Sequence, residues 1–473
     1  MSISSILNIA KNALSASQMA IQVTSHNISN VNTKGYARQA PVFEEESASF
    51  VGGILIGNGA KVDSVIRYYD RYLEKQLAGK NSEFQEQTIY SQYFERIEGI
   101  LNEDSNKLTS SITEFFNSWQ ELSADPESTA VREGILAAAT NMSRSINNIY
   151  NGLKNIQIEL NNKLKLEIDD INNITSAISD LNKMIFEGST STSEANDYLN
   201  KRTEYIKELA GKLDINYFED GFGRVTILTS KGKPLVDGGQ SWQLTVMDDE
   251  TTGFYNVGWK DASGNITDIT SNITGGKTRG LIEMRDGQIN DFIAYIDELA
   301  KAIIKEVNTV HKNGYTLNHN TSSTDPDNIA FFKEITGNFA KDMAVSDEIK
   351  ADIKNIAAAS KIDTEKRKPI GNGTALNIAS LIDQNILEGG KSNIVEFTSS
   401  ITNRIGQLTK SAKNFLEYSE DTMQIMEKQR ESVSGVSLDE EMANLIKFQY
   451  AFQAASRLFT VADELFQSIL RAV

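Results

Sequence analysis

Cysteine is absent from this 473-residue chain. That excludes disulfides, thiol nucleophiles and thiolate metal sites. It leaves the compartment open, because an extracellular chain can rely on a large core or on assembly instead. Histidine is scarce: His26, His311 and His319 are all there is, and none sits in a His-Glu-x-x-His pattern. Each is read as a structural or solvated side chain. Only five prolines occur, Pro41, Pro126, Pro234, Pro326 and Pro369, each outside a periodic stretch. Proline breaks helix interiors, so the long spans between them are free to be helical. No run of about eighteen apolar residues exists, which excludes a transmembrane helix. Met1 to Gln22 lacks the basic start, apolar core and small-residue cleavage site of a secretory signal. The expected location is therefore the cytoplasm, unless export leaves the chain uncleaved. Basic charge is also in deficit, with a formal net charge of −17. The one dense basic run, Lys366-Arg367-Lys368 beside Glu365, reads as a solvated loop. Nucleic-acid binding by phosphate neutralisation needs a basic face, and an acidic surface is repelled by anionic membranes. Neither a nucleic acid nor a membrane is expected as a partner.

What is present is concentrated at the two ends. Leu445, Phe452, Phe459, Phe466 and Val473 recur every seven residues, with Phe448, Ala455, Ala462 and Ile469 interleaved. Leu7, Leu14, Ile21 and Ile28 do the same at the other end, with Ile3 and Ala10 between them. Such spacing puts one apolar stripe along a helix and asks for a partner helix. Each large side chain on the stripe contributes about 1.5–3 kcal/mol when buried. The ends are expected to pair, and the pair to pack against neighbouring copies. The assembly surface assigned on this basis is Leu7, Leu14, Ile21, Ile28, Leu445, Phe448, Phe452, Phe459, Phe466 and Ile469.

Between the ends the chain reads as mainly α with a small β domain. Residues 4–30 form a helix, stopped by Asn30-Val31-Asn32-Thr33-Lys34-Gly35, since Asn and Gly tolerate the left-handed backbone of a C-cap. Residues 36–43 are extended. Residues 54–56 and 62–66 are expected to form a hairpin around Gly57-Asn58-Gly59. Helix follows over about 70–102, then a short one carrying Phe115, Phe116 and Trp119. The segment 128–187 is long enough, at roughly 90 Å, for a rod-like bundle. Its heptad positions Leu164, Ile171, Ile178 and Ile185, with Ile174 and Leu181, are read as ordinary core. A helix over 194–213 precedes an antiparallel β unit over 214–280, where Leu244, Val246, Tyr255, Val257 and Trp259 alternate with polar residues. Helices are predicted at 284–312, 346–358, 374–387 and 392–432. Ser434-Gly435 breaks the last, and Ser437-Leu438-Asp439-Glu440 is a capping box that starts the final helix. The organisation is nested: a terminal coiled-coil domain with a short hairpin (1–68 and 435–473), a helical bundle (69–213 and 281–434) and an inserted β domain (214–280).

No catalytic, cofactor or metal residues are assigned. Gly275-Gly276-Lys277-Thr278 has the tail of a phosphate-binding loop, but Ser271 stands where its first glycine is required. Asp214, Asn216 and Asp220 have calcium-loop spacing, with Phe218 in a ligand position. A hairpin turn is the simpler reading.

The stretch Asn27-Ile28-Ser29-Asn30-Val31-Asn32-Thr33-Lys34-Gly35-Tyr36 resembles the Asn-rich signature of the axial proteins of the bacterial flagellum. Its continuation, Gly35-Tyr36-Ala37-Arg38-Gln39, is similar to the form found in the hook-associated protein 1 (FlgK) family. So are Ser434-Gly435-Val436-Ser437-Leu438-Asp439-Glu440-Glu441, Asn444-Leu445 and Ala462-Asp463-Glu464-Leu465. Phe115-Phe116 with Trp119 and Pro126, Asn196-Asp197 with Arg202, Gly280-Leu281 with Arg285-Asp286, and Asn308 with His311 and Gly314 extend the resemblance inward. Ser29 and Ala37 depart from the commoner Ala and Ser, and the β unit is shorter than in larger members.

That resemblance implies a structural protein without enzymatic activity, placed outside the cell at the hook–filament junction. It implies type III export without a cleaved signal, and a dedicated chaperone on the C-terminal region. The partners it implies are further copies in a ring, the hook protein and the second junction protein. The motif residues carried over are Asn27, Asn30, Asn32, Gly35, Tyr36, Arg38 and Gln39. The alternatives are a rod or hook subunit, an enzyme or adhesin displayed on the β unit, and a cytoplasmic coiled-coil scaffold.

Overall fold

The computed structural model describes residues 3–51, 54–102, 108–187, 193–363 and 365–472. In chain order the elements are α1 (Ile3–Ser29), β1 (Gln39–Glu45), β2 (Ser49–Val51), β3 (Ile54–Ile56), β4 (Ala60–Arg67), α2 (Arg71–Asn102), α3 (Leu108–Ala124), α4 (Thr129–Glu187) and α5 (Ser193–Lys212). The β region follows as β5 (Ile215–Glu219), β6 (Val225–Thr229), β7 (Pro234–Asp237), β8 (Gln240–Ser241), β9 (Leu244–Asp248), β10 (Tyr255–Lys260) and β11 (Ile266–Asp268). Then come α6 (Gly276–Glu283), α7 (Ile289–Lys312), α8 (Phe339–Asp342), α9 (Asp347–Ala351), β12 (Lys361–Ile362), β13 (Pro369–Ile370), α10 (Gly373–Ser380), α11 (Ile394–Ser434) and α12 (Leu438–Ala472). The mainly α class with small antiparallel sheets is the one read from the sequence.

The chain forms two compact units. A terminal unit comprises Met1–Glu86, Lys165–Arg279 and Tyr418–Val473, and a central unit comprises Gln87–Leu164 and Gly280–Glu417. The β segment therefore shares a unit with both chain ends.

Several local expectations are corrected. Residues 54–56 and 62–66 do not pair with each other. β4 lies antiparallel to β1, with Gln39 opposite Arg67, and β3 pairs instead with β2. The apolar alternation identified the strands but not their partners, because register is set by what each face buries. The helix expected at 284–312 begins earlier, at Gly276, and is interrupted by a π turn over Met284–Gln288. The turn is held by side chains: Gln157 Nε2 donates to the Arg285 carbonyl at 2.7 Å, and the Asp286 carboxylate binds Arg285 at 2.7 Å through both Nε and Nη2. The helices expected at 346–358 and 374–387 are shorter, each ending in a single 3-10 turn. The capping box is only half formed. Ser437 Oγ accepts from the Glu440 amide at 3.5 Å, while the Glu440 carboxylate turns away to Arg38. Gly435 does break the helix: a Cβ there would lie 2.3 Å from the Glu431 carbonyl oxygen.

In the terminal unit, α4 supplies Ile171, Ile174, Ile178, Leu181 and Ile185 to the interior, all buried. It holds two sheets, ordered β5-β6-β7-β8 and β11-β10-β9. Two asparagines of α4 fix them. Asn172 donates to the Leu244 carbonyl and accepts from the Leu244 amide, both at 2.8 Å. Asn182 donates to the Val225 carbonyl at 2.9 Å and accepts from its amide at 3.1 Å. Each closes both backbone groups of a strand's first residue. Glu167 on the same helix pairs with Lys212 at 3.0 Å and with Lys277 at 2.7 Å. Lys277, the lysine of the incomplete phosphate-loop pattern, is thus a structural partner.

The central unit has one apolar core, in which Phe115, Phe116, Trp119, Phe331 and Phe332 form an aromatic cluster. Asn308 of α7 repeats the clasp seen on α4, bonding the Phe332 carbonyl at 2.9 Å and its amide at 2.8 Å. One turn on, His311 is fully buried. Its Nδ1 lies 2.7 Å from the Ile329 carbonyl and its Nε2 accepts from the Ala357 amide at 2.9 Å. One partner is an acceptor and the other a donor, so the ring is neutral. Desolvation pushes its pKa down to about 4. His319 is likewise buried and bonds Asp327 at 2.8 Å. The basic run Lys366–Lys368 is exposed, as a solvated loop requires.

The His311 shift has a definite sign. The unfolded chain takes up a proton near pH 6.5, but the folded chain resists it until about pH 4. His311 therefore stabilises fully above pH 6.5, and about 3 kcal/mol is lost as pH falls from there to about 4. In urea titrations of the central unit's aromatic signal, His311→Gln is expected to flatten that acid limb. An identical limb in the variant contradicts the assignment.

Candidate functional site at the join of the chain ends

α1 and α12 pack along each other. The residues that bury are small. On α1 they are Ser5, Ala10, Ala16, Ser17, Ala20, Val23, Thr24 and Asn27. On α12 they are Glu441, Ala455 and Ala462, with Phe448 half-buried at the same seven-residue step. Small side chains let the two backbones approach closely. Phe448 also meets Phe43 of β1, ring centroids 6.0 Å apart.

The larger residues fall elsewhere. Leu7, Leu14, Ile21, Ile28 and Leu445 are only half-buried. Phe452, Phe459 and Phe466 are 38%, 43% and 47% exposed. Val473 lies outside the described residues, as do the side chains of Ile3 and Ile469. Of the two α12 registers, then, the alanine-rich one faces α1 and the phenylalanine one faces outward.

The Asn-rich motif sits where the helices meet. Asn27 uses its whole hydrogen-bonding capacity. Its Nδ2 donates to the Gln39 carbonyl at 2.8 Å and to Glu441 Oε2 at 2.9 Å. Its Oδ1 accepts from the Gln39 amide at 3.0 Å and from the Tyr36 hydroxyl at 2.7 Å. Arg38 completes the link: Nε meets Glu441 Oε1 at 2.7 Å, Nη1 meets Glu440 Oε2 at 2.9 Å, and its amide donates to the Ser434 carbonyl at 2.9 Å. The Gln39 side chain reaches α5, donating to Asp197 Oδ1 at 3.1 Å. Burial, with the Asp197 and Glu441 carboxylates nearby, holds the Tyr36 phenol well above its ordinary pKa, so the hydroxyl stays a donor.

The rest of the motif shapes the turn. Asn30 Nδ2 donates to the His26 carbonyl at 3.0 Å, and Thr33 Oγ1 donates to Asn30 Oδ1 at 3.0 Å. Gly35 has φ +78°, and a Cβ there would lie 2.0 Å from Glu204 Cγ. Asn32 is exposed. Asn27, Tyr36, Arg38 and Gln39 are thus brought together, Asn30 and Gly35 make their approach possible, and Asn32 stands apart.

Glu441 and Asp197 were not singled out as site residues from the sequence. A signal for Glu441 was there: it is a charge in the register that continues as Phe448, Ala455 and Ala462. A buried carboxylate on an apolar stripe demands a partner. Asp197 was visible only in the Asn196-Asp197 pair that extends the resemblance, with nothing to show that it meets the motif. Among the described residues, no group of three or more His, Cys, Asp and Glu is placed to hold a metal ion.

A family model for the helical domain of flagellar hook-associated protein FlgK matches residues 94–325. Models for a flagella basal body rod protein and for the C-terminal part of the flagellar basal body rod FlgEFG protein match residues 7–36 and 428–472, the two sides of the join. The chain is 27% identical to flagellar hook-associated protein 1 of Bacillus subtilis (strain 168), over 99% of this chain and 98% of that one. It is 24% identical to the protein of that name from Salmonella typhimurium, over 99% of each. The solved structure of the flagellar hook junction protein FlgK from Burkholderia pseudomallei shares the fold: TM-score 0.65, 13% identity, covering 76% of this chain and 100% of that one.

The join makes a testable demand. Asn27→Asp places a second carboxylate beside Glu441, and Asn27→Ala leaves the Gln39 backbone and Glu441 without their partner. Each orphaned group costs roughly 1–3 kcal/mol. Both variants are expected to lose Gln39 amide protection in hydrogen exchange while the Asn308-clasped Phe332 amide keeps its own. Unchanged Gln39 protection contradicts the role given to Asn27.

Proposed function

The chain belongs to the flagellar hook-associated protein FlgK family, and from that premise we propose that it is a structural junction protein, assembled as a ring of copies between hook and filament. It is a component of the flagellum built into the axial assembly. The finer reading is that it contacts the hook protein on one side and the second hook-associated junction protein on the other. It leaves the cell by the flagellar type III route without a cleaved signal, with a dedicated chaperone covering the C-terminal region until export. Its relatives are structural proteins, and we read this chain as non-catalytic too. The three-part division into a terminal coiled-coil domain, a helical bundle and an inserted β domain is kept as the functional division.

One observation carries the proposal. α12 is pinned to α1 by its alanine register, and its phenylalanine register is left facing outward. The assembly surface is accordingly Phe452, Phe459 and Phe466, flanked by Leu445, Phe448 and Ile469 on α12 and by Leu7, Leu14, Ile21 and Ile28 on α1. An uncovered apolar row of this length is a liability in a free chain. It suits both a chaperone before export and neighbouring copies afterwards. The rod or hook subunit reading accounts for the ends of the chain; the match over 94–325 favours the junction protein.

Deletion of the gene is expected to give cells with hooks, no filaments and flagellin in the medium. Normal filaments in the deletion strain refute the assignment. Complementation with the Phe452→Ser, Phe459→Ser double variant is expected to fail. Its unfolding as a single chain should stay within about 1 kcal/mol of the parent, twice the usual range for one surface change. Full complementation contradicts the assigned surface.

A further inference from the structure

The hydrogen bonds at the join have a fixed direction, and the direction reaches a histidine. The Gln39 amide can only donate, so Asn27 Oδ1 must be the oxygen it meets at 3.0 Å. The Gln39 carbonyl and the Glu441 carboxylate can only accept, so Asn27 Nδ2 faces them. Asn27 Oδ1 therefore has no proton to offer Tyr36, and the Tyr36 hydroxyl spends its single proton on Asn27 at 2.7 Å. His26 Nδ1 lies 3.1 Å from that same hydroxyl oxygen. With the hydroxyl proton already committed, Nδ1 must be the donor. On the far side of the ring, His26 Nε2 lies 3.5 Å from Asp197 Oδ2. A neutral ring protonated on Nδ1 presents a lone pair to that carboxylate. A doubly protonated ring presents an N–H and a positive charge.

We infer that His26 carries its first proton on Nδ1, and that a second proton on Nε2 draws Asp197 of α5 onto the Asn27 join and tightens it. The device goes beyond assembly through the apolar stripe, since it makes the anchoring of the Asn-rich motif respond to external acidity. Asp197 is the fitting receiver because its other oxygen already accepts from the Gln39 side chain at 3.1 Å, so one carboxylate bridges His26 and Gln39. Tyr36 faces His26 from the turn and Asp197 from α5, while Glu441 of α12 acts through Asn27. The same groove is lined by Lys34 of the turn, Lys201 and Glu204 of α5, Glu167 of α4, Lys277 of α6, and Glu420 and Glu427 of α11. The His26 and Asp197 side chains are 34% and 38% exposed, so the bond forms and breaks in contact with solvent. An ion pair this exposed is worth at most about 1 kcal/mol, which sets the expected size at roughly two- to five-fold.

The test uses the full chain, with nitrogen NMR of the imidazole and hydrogen exchange at the Gln39 amide. The neutral ring is expected to show the Nδ1–H tautomer. Gln39 protection, corrected for the intrinsic pH dependence of exchange, is expected to be roughly two- to five-fold greater at pH 5 than at pH 8. His26→Gln, which cannot gain a proton, and Asp197→Asn, which can still accept from Gln39, should each remove that difference. An Nε2–H tautomer overturns the inference, and the tautomer is read on the parent chain whether or not either variant folds. So does a pH-independent Gln39, a Gln39 unprotected at every pH, or a pH difference that survives in both variants.

Discussion

Where a helix packs over the start of a strand, the first amide and carbonyl of that strand need partners, and this chain supplies them with an asparagine at three strand starts and again at the isolated bridge residue Phe332. Asn27, Asn172, Asn182 and Asn308 project from α1, α4 and α7, and each closes both backbone groups of one residue: Gln39, Leu244, Val225 and Phe332. A buried backbone group without a partner costs as much as a lost hydrogen bond. The asparagine amide is suited to the task because it carries a donor and an acceptor at the spacing of a peptide group and brings no charge. Aspartate lacks the donor, and at position 27 it would face Glu441. Three of these clasps order the sheets and the aromatic core. The fourth, at Asn27, joins the two chain ends.

That fourth clasp decides which face of α12 is spent. Glu441, held by Asn27 and Arg38, fixes the rotation of the helix at its start. Turned this way, Ala455 and Ala462 go against α1, and Phe452, Phe459 and Phe466 go outward. The choice looks inverted if only single-chain stability is considered, since phenylalanine contributes more on burial than alanine. It fits the proposed role, in which the largest apolar residues are reserved for neighbouring copies. The polar join sets the orientation of α12, and the apolar stripe is the surface proposed for adhesion.

Much of this was legible in the sequence. Seven-residue periodicity located α1 and α12, the Ser434-Gly435 break separated α11 from α12, and the run of Leu and Ile heptads marked the buried face of α4. Two things were not. Periodicity gives the spacing of a stripe but not its occupant, so the alanine and phenylalanine registers of α12 could not be told apart as inner and outer. Strand pairing was misread around residue 57 because the glycine turn was a local signal, while the true pairing of β1 with β4 is set by the helix packed on them. The join itself combines residues 27, 38, 197 and 441. Asn27 and Arg38 stood in the Asn-rich motif, Glu441 was a charge in an apolar register and Asp197 lay in the Asn196-Asp197 pair, but nothing in the sequence showed that these four residues meet.

The absence of cysteine makes the central claim directly measurable. A single Cys introduced by Phe459→Cys or by Ala462→Cys is the only thiol in the protein, so its labelling rate reports one face of α12 at a time. In the free chain the Phe459→Cys thiol should react readily and the Ala462→Cys thiol slowly. In assembled hook–filament junctions both should be protected. Equal reactivity of the two thiols in the free chain, or a Phe459→Cys thiol that stays reactive after assembly, would contradict the account.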